Sequence, residues 1–235
     1  MIRVDVVTIF PKLFDSFLRE SFVGIAQRSD RMAIAIHDLR GWTGDRHRTV
    51  DDAPYGGGPG MVMKPEPLVT AIEELAGKKG KRQARVILTS PRGRRLDQAR
   101  LEEMAGEEHL VLVCARYEGV DQRVIDLAVD EEISTGDYVI SGGEIPAMLM
   151  IEGMVRLIPG VLGNPESALT ESFQDDLLEA PHYTRPAEFR GERVPDVLRS
   201  GDHAAVARWR REEAEKITRE RRPELLAAAS GEEEK

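Results

Sequence analysis

Short apolar runs alternate with amphipathic segments along the first two thirds of the chain. Apolar runs of this length predict β-strands, here at residues 1–9, 32–36, 85–90, 109–115 and 131–134. Between them, apolar residues recur every three or four positions, which predicts helices at 11–25, 65–76, 96–105, 120–129 and 144–157. Alternating strands and helices predict an α/β domain with a parallel, doubly wound sheet.

Residues 40–64 interrupt this alternation. The segment Tyr55–Met61 contains four glycines, and it predicts neither a helix nor a strand. A loop of this length in a compact domain is typically functional or disordered. Glycine-rich loops hold phosphates in many proteins. No Gly-Lys-Ser/Thr follows, however, which excludes an ATP-binding P-loop.

The alternation ends at Pro159–Pro165, a break rich in proline and glycine. We therefore expect a large domain, a linker and a small domain, at residues 1–160, 161–174 and 175–235. Prolines interrupt the small domain, which is predicted to be α-helical, with a helix starting near His203 after the capping residue Asp202. Val206, Trp209 and Ile217 are its predicted core. A domain this short has a marginal core of its own.

The composition is that of a soluble globular protein, with 41% hydrophobic and 32% charged residues in 235. The N-terminus is broken by charges and predicts a first strand, not a signal peptide. No apolar run approaches the roughly 20 residues that span a bilayer. We therefore expect a cytoplasmic protein that has no membrane partner.

A metal site is not predicted. The single cysteine, Cys114, lies in an apolar run and is expected to be a buried hydrophobic residue. One cysteine permits neither an intrachain disulfide nor a cysteine metal cluster. The five histidines are scattered without metal-ligand spacing.

The net charge of −9 is a weak argument against a nucleic-acid partner. The distribution of charge is more informative than the total. Basic residues cluster within 40–48, 78–95 and 208–222. For the last of these clusters alone, a solvated helix face is the favoured interpretation.

The most informative stretch is Ile133–Pro146, which predicts a strand, a turn, a short strand over 138–140, a Gly-Gly pair and a helix that begins at Glu144. Gly136, Gly142 and Gly143 allow positive φ and a close approach to a ligand or to another chain segment. Many nucleotide and cofactor pockets have this order of elements. An ordinary αβ loop has it equally often.

Two further stretches favour the pocket. Leu88–Gly93 and Val113–Asp121 each follow the end of an apolar run, and a helical pattern follows each of them. Ligands of open α/β sheets bind just beyond the carboxyl ends of the strands. Three such loops predict one composite pocket.

Five strings carry a resemblance to a known family: DDAPYGGGPGM, TSPRGRRLDQ, RYEGVDQR, GDYVISGGEIPAM and PHYTRP. With them, the chain resembles the bacterial tRNA (guanine-N1) methyltransferases of the SPOUT class over most of its length. The resemblance implies a SPOUT-type parallel sheet with a C-terminal trefoil knot, and a helical tRNA-binding domain after the linker. It also implies S-adenosyl-L-methionine as the cofactor. The implied product is N1-methylated guanosine 3′ of the tRNA anticodon, at position 37, which prevents frameshifting.

The resemblance also implies a set of cofactor-binding residues. They are Leu88, Ser90, Pro91, Ala115, Tyr117, Glu118, Thr135, Gly136, Tyr138, Ile140, Gly142 and Gly143. Ala115 departs from the glycine that is usual in the family, and its extra methyl group is expected either to make the pocket slightly tighter or to shift the backbone. The glycine-rich part of 40–64 is expected to contribute through its backbone.

Two catalytic residues follow from the resemblance. Guanine N1 carries a weakly acidic proton, so a carboxylate serves as general base and a cation near O6 stabilises the developing charge. The arginine of the family matches Arg156, and its linker aspartate matches Glu171. Glutamate keeps the carboxylate on a longer side chain. Asp175 or Asp176 is an alternative base, and weak activity is another outcome.

The family forms homodimers, with the active site between two subunits, and it depends on Mg²⁺. A homodimer, tRNA as partner, no DNA partner and a requirement for Mg²⁺ are therefore implied. Two alternatives stay open. One is another SPOUT RNA methyltransferase, acting on a different base or on a ribose hydroxyl. The other is a non-catalytic RNA-binding protein, which the intact cluster of Gly136, Gly142 and Gly143 disfavours.

Overall fold

The computed structural model describes residues 1–82, 84–163, 171–173 and 176–230. The chain divides into two compact units, Met1–Gly163 and Asn164–Lys235, called here the first and the second unit. The sequence predicts that the large domain ends and the linker begins after residue 160. Most of the predicted linker lies outside the described residues, and the roles of the two domains stay predictions.

A parallel sheet of five strands forms the centre of the first unit, in the order β2-β1-β6-β5-β7. The strands of the first unit are β1 (Ile2–Thr8), β2 (Met32–Asp38), β3 (Asp51–Asp52), β4 (Val62–Met63), β5 (Arg85–Arg95), β6 (His109–Cys114) and β7 (Glu131–Ser134), of which β3 and β4 make a separate antiparallel pair. Five consecutive residues of β6, from Leu110 to Cys114, are buried, as expected for a strand covered on both faces. The predicted α/β class with a parallel sheet is confirmed.

Helices cover both faces of the sheet. They are α1 (Ser21–Arg28), α2 (Pro65–Ala76), α3 (Gln98–Ala105), α4 (Gln122–Ala128) and α5 (Glu144–Leu157). One buried cluster contains residues of α1, α3 and α5, and a second contains residues of α2 and α4. Neighbouring residues of β1 divide between the clusters, with Val6 in the first and Val7 in the second.

Capping aspartates set where two helices begin. The Asp97 carboxylate accepts a hydrogen bond from the backbone N–H of Arg100 at 2.8 Å, and that of Asp121 accepts one from Arg123 at 2.9 Å. These bonds satisfy amide groups that have no partner within the helix. Helices α3 and α4 therefore begin two residues later than predicted, at Gln98 and Gln122.

The prediction of one helix over 11–25 is wrong. The segment forms a 3₁₀ turn at Pro11–Phe14 and then turns, before α1 begins at Ser21. Ser21 has a φ of 51°, a left-handed conformation that a continuous right-handed helix does not contain. Phe14 is buried as predicted, but Leu13 and Ile25 are exposed.

Two further predictions need correction. Residues 138–140 form no strand. Strand β5 continues past its predicted end to Arg95, with an irregularity in the middle. Thr89 and Arg94 both pair with Ile133, so the four residues between them leave the ladder and bulge out.

The described part of the second unit is mainly helical. It contains the two-residue strands β8 (Glu188–Phe189) and β9 (Glu192–Arg193), a 3₁₀ turn at Asp196–Arg199, and the helices α6 (His203–Arg221) and α7 (Pro223–Ser230). Asp202 caps α6 as predicted, accepting from the Ala205 N–H at 3.0 Å. The predicted core residues Val206, Trp209 and Ile217 are only partly buried, because so short a unit encloses little volume.

Thr218 on α6 is a fully buried polar residue of that unit. Its hydroxyl donates to the Ala214 carbonyl at 2.7 Å and accepts from the Leu178 N–H at 2.9 Å. Across both units, no described helix is both long enough and apolar enough to cross a bilayer.

Candidate active site

A pocket of about 270 Å³ lies where β6 and β7 end and beside the bulge of β5. This volume is close to the lower end of the range for small-ligand clefts, about 300 Å³. The lining residues come from three segments of the chain: 89–91, 115–119 and 133–146. These are the three loops that the sequence predicted to form one composite site, at the sheet edge where α/β proteins bind ligands.

Backbone and side-chain hydrogen bonds hold the three segments together. The Gly143 N–H donates to the Ala115 carbonyl at 2.8 Å, and Arg116 and Gly142 form an antiparallel bridge. The Thr89 hydroxyl donates to the Val113 carbonyl at 3.2 Å and accepts from the Ala115 N–H at 3.4 Å. The pocket wall is therefore one bonded assembly of segments distant in sequence.

Close packing explains two of the three conspicuous glycines. A Cβ at Gly143 would lie 1.9 Å from Thr89 Oγ1 and 2.8 Å from Cys114 Cα. A Cβ at Gly142 would lie 2.0 Å from Arg116 Nε. Gly143 has a φ of −82°, so it needs the absence of a side chain and not a special conformation. Gly136 does have a positive φ, of 146°, and the Tyr138 ring covers it.

The glycine-rich loop is joined by backbone hydrogen bonds to the 116–121 segment, part of which lines the pocket. The Glu118 N–H donates to the Met61 carbonyl at 3.0 Å, and the Met63 N–H donates to the Gly119 carbonyl at 2.9 Å. The Asp121 N–H donates to the Met63 carbonyl at 3.0 Å. No described residue of 40–64 lines the pocket itself. The loop's contribution is indirect, through the backbone of the 116–121 segment.

Eleven of the twelve predicted cofactor-binding residues line the pocket. They are Ser90, Pro91, Ala115, Tyr117, Glu118, Thr135, Gly136, Tyr138, Ile140, Gly142 and Gly143. Leu88 does not: it is 1% exposed and belongs to the core behind the pocket. Their contact with a cofactor stays a prediction.

Other lining residues were not predicted: Thr89, Arg116, Gly119, Ile133, Ser134, Val139, Ser141 and Pro146. All of them except Ile133 and Pro146 adjoin a predicted residue in sequence. Most also lie inside the quoted strings: Thr89 in TSPRGRRLDQ, Arg116 and Gly119 in RYEGVDQR, and Val139, Ser141 and Pro146 in GDYVISGGEIPAM.

Titratable groups near the pocket are perturbed by burial. Burial raises the pKa of Tyr117, and the negative charge of Asp51 raises it further. Burial also raises the pKa of the Cys114 thiol well above its ordinary value. Cys114 is therefore not a nucleophile, in agreement with its predicted role as a buried hydrophobic residue.

The two predicted catalytic residues lie in different units. Arg156 is in the last turn of α5 and is partly buried. Glu171 is partly buried in a turn of the second unit. Of the alternative bases, Asp176 is exposed with a φ of 57°, and Asp175 lies outside the described residues. The catalytic roles of Glu171 and Arg156 stay predictions.

The pocket suits an organic cofactor with an apolar, aromatic part. Ile133, Ala115, Ile140 and Pro146 supply apolar surface, and the glycines bring backbone polar groups to the wall. A metal ion would need a cluster of ligating side chains. Within the described ranges, no three His, Cys, Asp or Glu side chains come together to hold an ion.

The fold and the site define a class: an α/β protein whose parallel strands end in a glycine-walled pocket for a small organic ligand. Comparison with known proteins narrows this class to a family. The family model described as "tRNA (Guanine-1)-methyltransferase TrmD" matches residues 2–228. The chain therefore belongs to the tRNA (guanine-1)-methyltransferase family.

Curated relatives agree with the family model. A protein of Frankia alni named tRNA (guanine-N(1)-)-methyltransferase is 56% identical over 227 residues, which cover 97% of this chain and 86% of the relative. Proteins of the same name from Geobacter sulfurreducens and Anaeromyxobacter sp. are 55% and 53% identical, each over 97% of this chain and 92% of the relative. The family predicted from the motifs is confirmed.

Proposed function

We propose that this protein transfers a methyl group from S-adenosyl-L-methionine to N1 of the guanosine 3′ of the tRNA anticodon, at position 37. The observation that carries the proposal is the pocket itself. The segments that form it overlap three of the strings that carry the resemblance, TSPRGRRLDQ, RYEGVDQR and GDYVISGGEIPAM, and they lie within the residues that the family model matches. The names of the relatives support guanine N1 of tRNA as the acceptor.

The cofactor would be held by the wall of the pocket. The apolar side chains of Ile133 and Ile140 suit the adenine ring, and the backbone near Ala115 and Gly142 supplies polar groups. S-adenosyl-L-methionine supplies an electrophilic methyl group when it is bound. The glycine-rich loop keeps the 116–121 segment in place through its backbone hydrogen bonds.

Two side chains would manage the charge on guanine. Glu171 accepts the N1 proton, and Arg156 stabilises the negative charge that develops at O6. Glu171 needs its ionised form for this role. The family's dependence on Mg²⁺ is part of the proposal, and no step of the transfer is assigned to the ion.

A SPOUT-type trefoil knot around the pocket and a homodimer complete the proposed arrangement. Apolar side chains at the pocket rim support the dimer. Val139 is 88% exposed, and Ile145 and Leu149, one helical turn apart on α5, are 62% and 44% exposed. Exposed apolar clusters of this kind mark protein–protein contacts. A second copy of the chain, with its own helical unit, is the proposed occupant.

The experiment combines purified protein, methyl-labelled S-adenosyl-L-methionine and a tRNA transcript with guanosine at position 37. We expect label in 1-methylguanosine, identified by mass spectrometry after digestion, and no label in a matched transcript with adenosine at position 37. Label in another base or in a ribose would mean a different RNA methyltransferase. RNA binding without cofactor binding would mean a non-catalytic RNA-binding protein.

The catalytic assignments have their own test. Glu171→Gln should slow single-turnover methyl transfer by roughly 10²–10⁴ while leaving cofactor affinity nearly intact, since it removes only the general base. A higher pH should partly restore this variant, but not Arg156→Ala. Asp176→Asn is the matched control. A wild-type rate for Glu171→Gln, together with a slow Asp176→Asn, would transfer the role of base to Asp176.

A further inference from the structure

A buried carboxylate that the proposed reaction does not use lies in the first turn of α5. Glu144 is 1% exposed. Its Oε1 accepts a hydrogen bond from the Thr8 hydroxyl at 2.7 Å, and its Oε2 accepts from Arg116 Nε at 2.8 Å. An ionised carboxylate is tolerated in the interior only when it is paired and hydrogen-bonded. The N-terminal end of a helix favours the same negative charge.

Arg116 is the group that connects this carboxylate to the pocket. Its Nη2 also lies 2.8 Å from Glu144 Oε2, and its Nη1 donates to the Ser141 carbonyl at 3.1 Å. The guanidinium stacks over the Phe10 ring, with Cζ 4.5 Å from the ring centroid. A planar guanidinium with several donors can bridge groups in fixed directions in a way that a lysine cannot. Arg116 and Ser141 both line the pocket.

The space that Arg116 occupies exists because residue 142 is glycine. A Cβ there would lie 2.0 Å from Nε and 2.4 Å from Cζ of Arg116. The same two residues are joined by a backbone bridge. The guanidinium therefore lies between the two segments that form these walls of the pocket, residues 115–119 and 141–143. Its hydrogen-bonded ion pair with Glu144 holds it there.

We propose that Glu144 is a positioning residue for the cofactor pocket: it fixes Arg116, which sets the separation of the 115–119 and 141–143 walls before a ligand arrives. Thr8 orients the carboxylate, because its hydroxyl donates to Oε1 while accepting the Phe10 N–H at 2.9 Å. The role resembles that of the outer hydrogen bonds that orient the ligating residues of a metal site. The proposal rests on the proposed function only for the identity of the ligand.

Glu144→Gln is the sharpest variant, because it keeps the size of the side chain and removes the charge. Hydrogen bonds between ionised partners are about twice as strong as neutral ones. We expect the Kd for S-adenosyl-L-methionine, measured by calorimetry, to rise about tenfold, which corresponds to 1.4 kcal/mol. The rate at saturating cofactor should change little. Amide hydrogen exchange should accelerate in 115–119 and 141–143 and stay unchanged in β1 and β6.

Two comparisons separate positioning from general stabilisation. Glu152→Gln changes a carboxylate two turns further along α5 that does not line the pocket, and it should leave both measurements unchanged. In an Arg116→Gln background, Glu144→Gln should add little to the loss of affinity, since Glu144 acts through Arg116. Additive losses, or faster exchange spread evenly over the first unit, would overturn the proposal.

The outcomes also separate this proposal from the proposed function. A wild-type protein that does not bind S-adenosyl-L-methionine would refute the function, while hydrogen exchange in 115–119 would still decide the role of Glu144. If Glu144→Gln does not fold, Thr8→Val serves in its place, because it removes the hydroxyl that donates to Glu144 and accepts from the Phe10 N–H while nearly keeping the shape of the side chain. Unchanged exchange in both pocket walls of that variant would then reject the positioning role.

Discussion

Asp5 makes the stability of the first unit depend on pH in a predictable range. It lies in β1 with 0% exposure. One carboxylate oxygen accepts from His37 Nε2 at 2.7 Å, and the other from His109 Nε2 at 2.7 Å and Arg3 Nε at 2.8 Å. His37 belongs to β2 and His109 to β6, so one side chain links the three adjacent strands.

The size of this contribution to stability follows from the pKa of Asp5. Burial raises the pKa of Asp5, but hydrogen bonds from His37, Arg3 and His109 more than offset this, and the pKa falls from 3.8 to about 2. At about 1.4 kcal/mol per pKa unit, the ionised form stabilises the fold by roughly 2 kcal/mol. A lowered pKa in the folded state means that this contribution is present above pH 3.8 and is lost as the pH falls through about 2.

The assay is urea unfolding of the wild type and Asp5→Asn at several values between pH 5 and pH 2. Histidine side chains ordinarily titrate near pH 6.5, so this range isolates the carboxylate. Both proteins would carry Trp209→Phe, which leaves Trp42 of the first unit as the fluorescent reporter. Asp15→Asn, at an exposed aspartate, is the control.

We expect Asp5→Asn to lower the free energy of unfolding by roughly 2 kcal/mol at pH 5, with a difference that shrinks steadily toward pH 2. Asp15→Asn should follow the wild type throughout. A constant difference between the wild type and Asp5→Asn over this range would refute the reasoning, because the loss would then come from packing and not from ionisation.

Three further predictions concern the pocket and its partners. Gly143→Ala places a Cβ 1.9 Å from Thr89 Oγ1, so it should weaken cofactor binding and cost about 1–3 kcal/mol of stability, whereas Gly41→Ala, with open space around it, should do neither. Calorimetry and urea unfolding test this pair of variants, and equal effects would contradict the packing argument. Ile145→Asp should shift the protein toward monomer in sedimentation velocity, and an unchanged dimer would exclude this face of α5 as the interface. If the exposed Arg46 and Arg48 contact phosphates, tRNA affinity should fall with salt, and replacing both residues by alanine should reduce the slope of log K against log[salt] by about 2. An affinity that does not vary with salt would argue against a nucleic-acid partner.

Strands β1, β5 and β6 were predictable because most of their residues, or in β5 those of the first half, are buried on both faces. A fully buried strand is a continuous apolar run, and β6 was located to within one residue on that basis. The helix starts were less accurate, since the capping residues Asp97 and Asp121 stand one residue inside the apolar pattern and the helices begin just after them. The break before α1 could not be predicted, because the left-handed conformation of Ser21 leaves no mark on the periodicity of the residues around it.

The candidate site was predictable as a set of loops but not as a set of contacts. Glycine patterns at the ends of apolar runs located all three pocket segments. They did not separate Leu88, whose side chain points into the core, from Ser90 two positions later, which lines the pocket. Regular alternation along a strand would put residues 88 and 90 on the same face, but the bulge after Thr89 interrupts that alternation.

Gly143 and Glu144 are adjacent, and they are constrained for opposite reasons. Gly143 admits no side chain, because Thr89 and Cys114 lie against it. Glu144 requires a charged one, because Thr8 and Arg116 donate hydrogen bonds into a site closed to water. Thr8 precedes Glu144 by 136 residues, so no local pattern could reveal that contact. The string GDYVISGGEIPAM is therefore informative as a whole. Gly143 packs against Thr89 of β5 and Cys114 of β6, and Glu144 accepts a hydrogen bond from Thr8 of β1. A substitution of either residue must therefore be compensated on a strand far away in sequence.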